Sequence, residues 1–307
     1  MFHLPVLLPQ VLSAAQGARR IVDGTLGDGG HAEALLATGA ELLAIDRDPD
    51  AIRIARERLG DERIRYLEAS FADPDALAAV RRFQPDFILL DLGLSSRQLD
   101  QAERGFTFRP GAILDMRMGR ADRTAADLLN HAPSDQLADW FFEFGDERRS
   151  RQLAAEIVRR RERRSFSISD DLVNAIRAVL GPRAGPDDFA RIFQALRIAV
   201  NEELSGLSAA LPELRDALVP GGALAVISYH SGEDRVVKHA FREWSRSCVC
   251  PKGSPVCTCR GRSLGGEPVR GGAVPDPREI ADNPRARSAR LRIFRVHGEI
   301  EREKAAI

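Results

Sequence analysis

The sequence predicts an α/β protein built on a doubly wound sheet with an inserted helical domain. Roughly the first ninety residues alternate apolar runs of strand length with amphipathic stretches, at the spacing of βαβ units. A glycine-rich turn follows the first apolar run, as in folds that bind a cofactor at one edge of a sheet. More than 100 residues separate the fourth predicted strand from the fifth, which is far more than one crossover helix needs.

Six apolar runs carry the strand pattern. They are Ile21–Asp23, Leu42–Ile45, Ile64–Leu67, Phe87–Leu90, Leu224–Ile227 and Leu291–Val296. A helix is predicted to begin within Ala32–Ala37, and another spans Pro49–Leu59, where proline suits the first helical turn. Because these units alternate, we expect the early strands to be parallel, with their carboxyl ends on one edge of the sheet.

The insertion has a helical period from about Thr124 to Leu214. Its large apolar side chains are spaced for one helix face, so we interpret them as core and not as a ligand stack: Leu128, Leu129, Leu137, Trp140, Phe141 and Phe144. The predicted division is an α/β core at residues 1–110 and 215–307, with a helical domain at 111–214 on the side where a substrate would bind. Cys248–Pro277 is rich in Gly, Pro, Cys and Arg, and we expect an irregular loop there.

Length and composition limit the classes of protein to which this chain can belong. A chain of 307 residues with 44% hydrophobic content can bury a full α/β core with one appended domain. It has no apolar stretch long enough to span a membrane. The apolar beginning, MFHLPVLLPQVLSAAQGARR, carries two prolines and lacks a basic leading region, so we interpret it as folded structure. We therefore expect a cytoplasmic chain with reduced cysteines.

The stretch IVDGTLGDGGH, from Ile21 to His31, holds four glycines within seven positions. Glycine admits positive φ and lets a ligand approach main-chain N–H groups directly. Polar or aromatic residues also follow the next strands: Asp46, Phe71 and Asp91. One acid after a strand is often only a cap or a turn residue. Together with the glycine turn, however, these residues predict a nucleotide-like cofactor at the carboxyl edge of the sheet.

NAD and S-adenosylmethionine both fit this pattern, and two features favour the second. The turn is not G-x-G-x-x-G, and Asp23 at its start could face the cationic methionine end of that cofactor. The block Ser228–Arg235 (SYHSGEDR) also places several polar groups at the same edge. No hydride-transfer constellation is evident, so a nicotinamide oxidoreductase is a distant alternative.

Several blocks of the sequence resemble one family, the RsmH (MraW) ribosomal RNA methyltransferases. They run in order from His3 to Arg292: HLPVLLPQVL, VDGTLGDGGH, LLAIDRDPDAI, ILLDLGLSSRQLDQAERGFTF, LDMRM, FQALRIAVNEEL, PGGALAVISYHSGEDRVVK and NPRARSARLR. The resemblance implies a Rossmann-like class I S-adenosylmethionine methyltransferase fold. It also implies methylation of the exocyclic N(4) amine of a cytidine, cytosine 1402 of 16S rRNA.

The resemblance also implies which residues bind S-adenosylmethionine: Gly29, Gly30, His31, Asp46, Phe71, Asp91 and Gln98. Gln98 rests on the resemblance alone, since no strand-end argument points to it. Three positions depart from the family pattern. Gln10 stands where an acid is usual, and Tyr229 and Gly232 replace the more usual Phe and Leu.

Transfer to a cytosine amine needs in-line placement and acceptors for the amine hydrogens. Many amino methyltransferases place Asp/Asn-Pro-Pro-aromatic after the fourth strand, but this chain has Asp91-Leu-Gly-Leu-Ser-Ser. We expect Asp91 or a backbone carbonyl of this loop to accept an amine hydrogen. His230 and Asp234 are second candidates, although a histidine at a strand end is as often structural. Ser96–Phe108 and Leu114–Met118 are expected to wall the substrate side.

Basic residues cluster locally although the net charge is +0. Lysine occurs only at Lys238, Lys252 and Lys304, so 42 of the 45 basic residues are Arg. Arg148–Arg164 holds eight Arg against two acids, which a solvated helix face explains as well as an RNA contact does. The segment RARSARLRIFR holds five Arg and no acid. We expect four of these to contact the rRNA backbone: Arg285, Arg287, Arg290 and Arg292.

The four cysteines form two C-x-C pairs, Cys248–Cys250 and Cys257–Cys259. C-x-C is less typical of zinc than C-x₂-C, so a structural zinc and reduced thiols both stay open, and the sequence assigns no metal ligand. Other possibilities also stay open: a methyltransferase for DNA or a small amine, and a non-catalytic rRNA-binding assembly factor. The sequence does not distinguish monomer from homodimer, or naked 16S rRNA from the small ribosomal subunit as substrate.

Overall fold

The computed structural model describes residues 5–119, 121–254 and 256–298. His3 and Leu4, which begin the first family-like block, lie outside the described residues. The chain divides into two compact units. The first comprises residues up to Gly93 and from Leu204 onward, and the second comprises Leu94–Glu203. The insertion thus begins and ends earlier than the predicted limits of 111 and 214.

The first unit contains a seven-stranded sheet in the order β3-β2-β1-β4-β5-β7-β6. The strands are β1 Arg20–Asp23, β2 Glu41–Asp46, β3 Ile64–Glu68, β4 Phe87–Asp91, β5 Ala223–Ser228, β6 Gly265–Gly266 and β7 Arg290–Val296. Neighbours from β3 to β5 pair in parallel, while β7 is antiparallel to both β5 and β6. All six predicted strands are confirmed. The seventh strand, β6, was not predicted, since its two residues lie inside the expected loop.

The helices surround the sheet or form the second unit. In chain order they are α1 Leu8–Ala14, α2 Gly30–Leu36, α3 Pro49–Leu59, α4 Pro74–Phe83, α5 Ser96–Asp100, α6 Ala125–His131, α7 Ser134–Glu143, α8 Ser150–Arg161, α9 Ser169–Leu180, α10 Pro186–Asn201, α11 Glu203–Ala217, α12 Ser231–Trp244 and α13 Pro277–Asp282. The predicted bounds of α3 are confirmed. Its first turn is capped by the Asp48 side chain, which accepts the Asp50 N–H (3.1 Å), and Pro49 is the first helical residue.

Both faces of the sheet are covered, as a doubly wound fold requires. Ile21 and Leu89 point into one buried cluster, and their chain neighbours Val22 and Leu90 point into the other. All six residues of β5 are buried. This burial explains why the central strands appear in the sequence as unbroken apolar runs and not as alternating ones.

The second unit has a helical core of its own, which includes Leu128, Leu129, Leu137 and Phe141. Trp140 and Phe144 are partly buried against that core, so the prediction that this apolar set is structural is confirmed. Among the described residues, no helix is long and apolar enough to cross a bilayer.

Candidate functional site

Three adjacent strands of the first unit, β2, β1 and β4, end in aspartate. The parallel register places Asp23 of β1 beside Ala44 of β2 and Leu89 of β4, so the three strand ends lie on the same edge of the sheet. Asp46 and Asp91 are the last residues of β2 and β4. The sequence analysis expected this convergence, and ligands of open α/β sheets bind at such edges.

The glycine turn after β1 is packed tightly against β4. The Gly24 N–H donates to the Leu89 carbonyl (2.9 Å), and a Cβ at Gly24 would lie 2.5 Å from Leu90 Cδ2. The same Cβ would lie 3.5 Å from Phe71 Cβ, so Phe71 stands beside the turn. Gly29 has φ of +80° and caps α2, of which Gly30 is the first residue. Glycine is therefore required at Gly24 by close approach and at Gly29 by backbone conformation.

Asp46 is oriented by the backbone on both sides of its carboxylate. Oδ2 accepts the N–H of Gly27 and Oδ1 accepts that of Asp48, each at 2.8 Å. Burial raises its pKa above the ordinary value, and these two hydrogen bonds oppose that rise. Each oxygen keeps an acceptor position, so the carboxylate can still receive hydroxyl donors such as a ribose diol.

Asp91 is held by three neighbours. Its backbone N–H donates to Thr25 Oγ1 (2.5 Å), and its Oδ1 accepts the Tyr229 hydroxyl (2.9 Å). His31 Nε2 lies 3.6 Å from Oδ2, which is a charge contact and too long for a hydrogen bond. Burial and the neighbouring Asp91 charge raise the pKa of Tyr229 well above 10, so the phenol stays a neutral donor.

Asp23 and His31 bring buried, incompletely paired polar atoms to the same edge. Asp23 is 1% exposed, and burial raises its pKa to about 7 although His31 and the Thr25 N–H oppose the rise. Burial lowers the pKa of His31, but Asp91 and Asp23 outweigh burial and the net shift is upward. Asp23 Oδ2 and both ring nitrogens of His31 are buried without a hydrogen-bond partner in the protein. A bound group could supply the hydrogen-bond partners that these atoms lack.

His230 and Asp234, the second catalytic candidates, make structural contacts. His230 caps α12, with Nδ1 accepting the Glu233 N–H (3.4 Å) and Nε2 lying 3.2 Å from Glu233 Oε1. Asp234 accepts two hydrogen bonds from the Arg292 guanidinium, at 2.7 and 3.1 Å. The observed contacts therefore favour the structural interpretation of both residues.

The four arginines expected to contact RNA separate into two groups. Arg285 and Arg287 are exposed in the 3₁₀ segment Pro284–Ser288, and Arg290 is half-exposed. Arg292 is 5% exposed and pairs with Asp234 and Glu267. These contacts hold its guanidinium inside the fold and favour a structural role for Arg292 over an RNA contact.

Gln98 and the two expected substrate-side stretches belong to the second unit. The Gln98 side-chain oxygen accepts the Ser95 N–H (3.1 Å), and together these residues form a capping box at the start of α5. Substrate contact by Ser96–Phe108 or Leu114–Met118 stays a prediction.

Sequence reasoning missed two residues that hold Asp91, namely Thr25 and Tyr229. A signal existed for the second, since Tyr229 is one of the departures from the family pattern.

A doubly wound sheet with a glycine turn after β1 and acids ending β2 and β4 defines a class of proteins that bind nucleotide-like cofactors. Within that class the chain belongs to the MraW methylase family, whose model matches residues 1–297. This family uses S-adenosylmethionine as the methyl donor.

Named relatives match over almost their whole length. Ribosomal RNA small subunit methyltransferase H of Gemmatimonas aurantiaca is 56% identical over 96% of this chain and 95% of its own. The protein of the same name from Heliobacterium mobile is 42% identical over 95% of this chain and 97% of its own. Among solved structures, a putative rRNA methylase from Clostridium thermocellum matches with a TM-score of 0.40 and 11% identity, over 96% of this chain and 100% of that one.

Proposed function

We propose that this chain transfers a methyl group to the exocyclic N(4) amine of a cytidine in 16S rRNA, cytosine 1402. The observation that carries the proposal is the convergence of Asp23, Asp46 and Asp91 around the glycine turn. The relatives named ribosomal RNA small subunit methyltransferase H support rRNA as the substrate. This role belongs in the cytoplasm, where ribosomal subunits of bacteria are made.

The residues at the sheet edge fit S-adenosylmethionine. Asp46 presents acceptors for the ribose hydroxyls, Phe71 stands where it can cover the adenine, and Asp23 can face the ammonium of the methionine end. The remaining members of the proposed set are Gly29, Gly30, His31, Asp91 and Gln98. The unpaired buried atoms of Asp23 and His31 are the observation that supports this fit. When bound, the cofactor supplies an electrophilic methyl group on a sulfonium.

Asp91 is the best candidate for gripping the cytosine amine. The amine lone pair is delocalised into the ring, so acceptors for its hydrogens favour the rehybridisation that transfer requires. Tyr229 and Thr25 fix the side chain and the backbone of Asp91, while each carboxylate oxygen keeps an acceptor position. The target cytidine must leave its stack to reach this edge.

Exposed Arg285 and Arg287, with Arg290, are proposed to contact the rRNA backbone. The other arginine cluster is less available. Arg159 and Arg160 pair with Glu156, and Arg161 donates to the Leu129 and Ala132 carbonyls. These contacts favour a structural role for three of the eight arginines in Arg148–Arg164.

The test is a methyl-transfer assay with small subunits that lack this modification and, in parallel, naked 16S rRNA. Both are incubated with the protein and S-adenosylmethionine carrying a labelled methyl group, and the labelled nucleoside is identified by mass. We expect N(4)-methylcytidine. A different labelled nucleoside would refute the proposed substrate atom, and no label with intact cofactor binding would favour a non-catalytic assembly factor.

A further inference from the structure

The loop between α12 and β6 gathers every cysteine of the chain into one cluster. The chain has four cysteines, Cys248, Cys250, Cys257 and Cys259, and their sulfur atoms all lie within 4.8 Å of one another. Two short arms bring them together, each a Cys-x-Cys pair, with six residues between the pairs.

The sulfur separations match a tetrahedral metal centre. Cys257 Sγ lies 3.7 Å from Cys248 Sγ, 4.0 Å from Cys250 Sγ and 3.4 Å from Cys259 Sγ, and Cys259 Sγ lies 3.9 Å from Cys248 Sγ. Zn–S bonds of about 2.3 Å at tetrahedral angles place the four sulfurs about 3.8 Å apart. A disulfide would require one pair at about 2.05 Å. The observed distances fit four thiolates around one ion.

The loop has no apolar core that could hold these arms in place. No described residue from Ser245 to Ser263 is buried, and Val256 is 69% exposed. Short segments without a core need a disulfide or a structural metal to be ordered. The convergence of four thiols in such a segment is therefore explained by a ligand that binds them all.

The surroundings suit a tetrathiolate centre. Four thiolates around Zn²⁺ carry a net charge of about −2. The sequence has no acid between Glu243 and Glu267 but has Arg246, Lys252, Arg260 and Arg262. The backbone N–H of Val249 donates to Cys259 Sγ (3.3 Å), the kind of outer contact that orients metal-bound thiolates. Arg260 anchors the loop to the end of α12 through Glu243 Oε1 (3.0 Å).

From this geometry we propose that the four cysteines, Cys248, Cys250, Cys257 and Cys259, form a structural zinc site that folds the loop between α12 and β6. The site supplies no chemistry, because four protein ligands leave no open position on the ion. The proposal does not depend on the methyl-transfer activity, so each can fail without the other.

The test begins with elemental analysis and thiol titration of the full chain, purified under reducing conditions without chelator. We expect about one zinc per chain. All four thiols should react slowly with a thiol reagent and quickly after a strong chelator is added. Replacing zinc by Co²⁺ should give the intense visible bands of a tetrahedral tetrathiolate centre. Less than stoichiometric zinc in a chain with four reduced thiols, or a mass showing two disulfides, would overturn the proposal.

Variants then assign the ligands. Cys257→Ser and Cys250→Ser should each lose zinc at a chelator concentration that the parent chain withstands, whereas Thr258→Ser between two ligands should keep it. Limited trypsin digestion reports on the loop itself. Lys252, Arg260 and Arg262 should be cut in chelated or Cys→Ser protein and protected in the parent. Cofactor binding verifies that each variant is folded, and a Cys257→Ser chain that retains zinc and protection would contradict the assignment.

Discussion

At the scale of single residues, the site depends on carboxylates held by unlike partners. The Asp46 carboxylate accepts two backbone N–H groups, that of Asp91 accepts the Tyr229 hydroxyl and lies near the His31 imidazole, and that of Asp23, among the described residues, accepts only the Thr25 N–H. The sequence predicts the position of all three at the strand ends, because an acid that follows an apolar run can be recognised without the fold. It does not predict Thr25 and Tyr229 as partners of Asp91, since each meets Asp91 only after β1, β4 and β5 pair.

The raised pKa of Asp23 predicts that the stability of the protein depends on pH. Burial raises its pKa from 3.8 to about 7, so between about pH 4 and 7 the folded chain binds a proton that the unfolded chain has released. The free energy of unfolding of the cofactor-free protein should therefore decrease as pH rises through this range. Asp23→Asn should remove that contribution, while exposed Asp50→Asn should leave it. Denaturant unfolding at a series of pH values measures both.

The same carboxyl predicts a pH dependence of cofactor binding. The ionised form attracts a cationic ligand, so S-adenosylmethionine affinity should rise with pH up to about 7, by at most about tenfold per pH unit. Because His31, Asp91 and Asp46 also face the Asp23 carboxyl, a variant at Asp23 is needed to separate its contribution from theirs. Asp23→Asn should bind more weakly above pH 7 with a flatter profile. An unchanged profile in calorimetric titrations would exclude Asp23 and assign the dependence to its neighbours His31 and Asp46, whose pKa values are also raised.

Removal of the Tyr229 hydroxyl should cause a modest and specific loss of methyl-transfer activity. Tyr229→Phe restores the residue usual in the family pattern and deletes the 2.9 Å hydrogen bond to Asp91. One such bond is worth about 0.5–1.5 kcal/mol net, so we expect kcat/KM for methyl transfer to fall about 2- to 10-fold. Tyr66→Phe is the matched control, since that hydroxyl donates to the Gly60 carbonyl instead (2.7 Å). Equal effects of the two variants would exclude a specific role for Tyr229.

At the scale of elements, the glycine turn is set by packing as well as by conformation. Gly24→Ala should destabilise the chain by about 1–3 kcal/mol, because the added Cβ would lie 2.5 Å from Leu90 Cδ2. Gly206→Ala in α11 is the contrast. Its Cβ would make an ordinary 3.5 Å contact with Ala72, and helix propensity favours Ala by about 1 kcal/mol. Thermal unfolding of both variants tests this. A Gly24→Ala chain as stable as the parent would contradict the packing.

Substituting the arginines in and just before β7 should have two different effects, one on rRNA binding and one on stability. Arg285→Ala/Arg287→Ala should weaken rRNA binding and reduce the slope of log affinity against log salt by about 1 for each phosphate that the protein no longer neutralises. Arg292→Ala should instead lower stability by about 2 kcal/mol or more, because Glu267 loses its charge partner and Asp234 keeps only the 3.9 Å contact with Arg290 Nε. Filter binding over a salt series and denaturant unfolding distinguish the two. An unchanged salt slope in the double variant would remove these residues from the interface.

At the scale of the whole molecule, periodicity predicted the parallel strands and the helical insertion but not where the insertion ends. α11 continues the helical pattern of the insertion, yet its Leu207, Leu211 and Leu214 pack in the cluster that covers one face of the sheet. Sequence period cannot tell which core an apolar helix face will join. β6 was missed for a related reason, because two glycines carry no strand pattern and become a strand only by pairing with β7.

At this scale, the edge of the sheet formed by β1, β2 and β4 is the proposed binding site of S-adenosylmethionine. Calorimetric titration of this cofactor into the full chain, Asp46→Ala and Asp50→Ala tests it most directly. Asp46→Ala removes an acceptor for two hydroxyl donors, and hydrogen bonds to charged groups are worth about 1.5–3 kcal/mol each, so affinity should fall about 100-fold or more. Asp50→Ala, in the exposed first turn of α3, should bind as the parent does. Parent-like affinity in a folded Asp46→Ala chain would contradict the account.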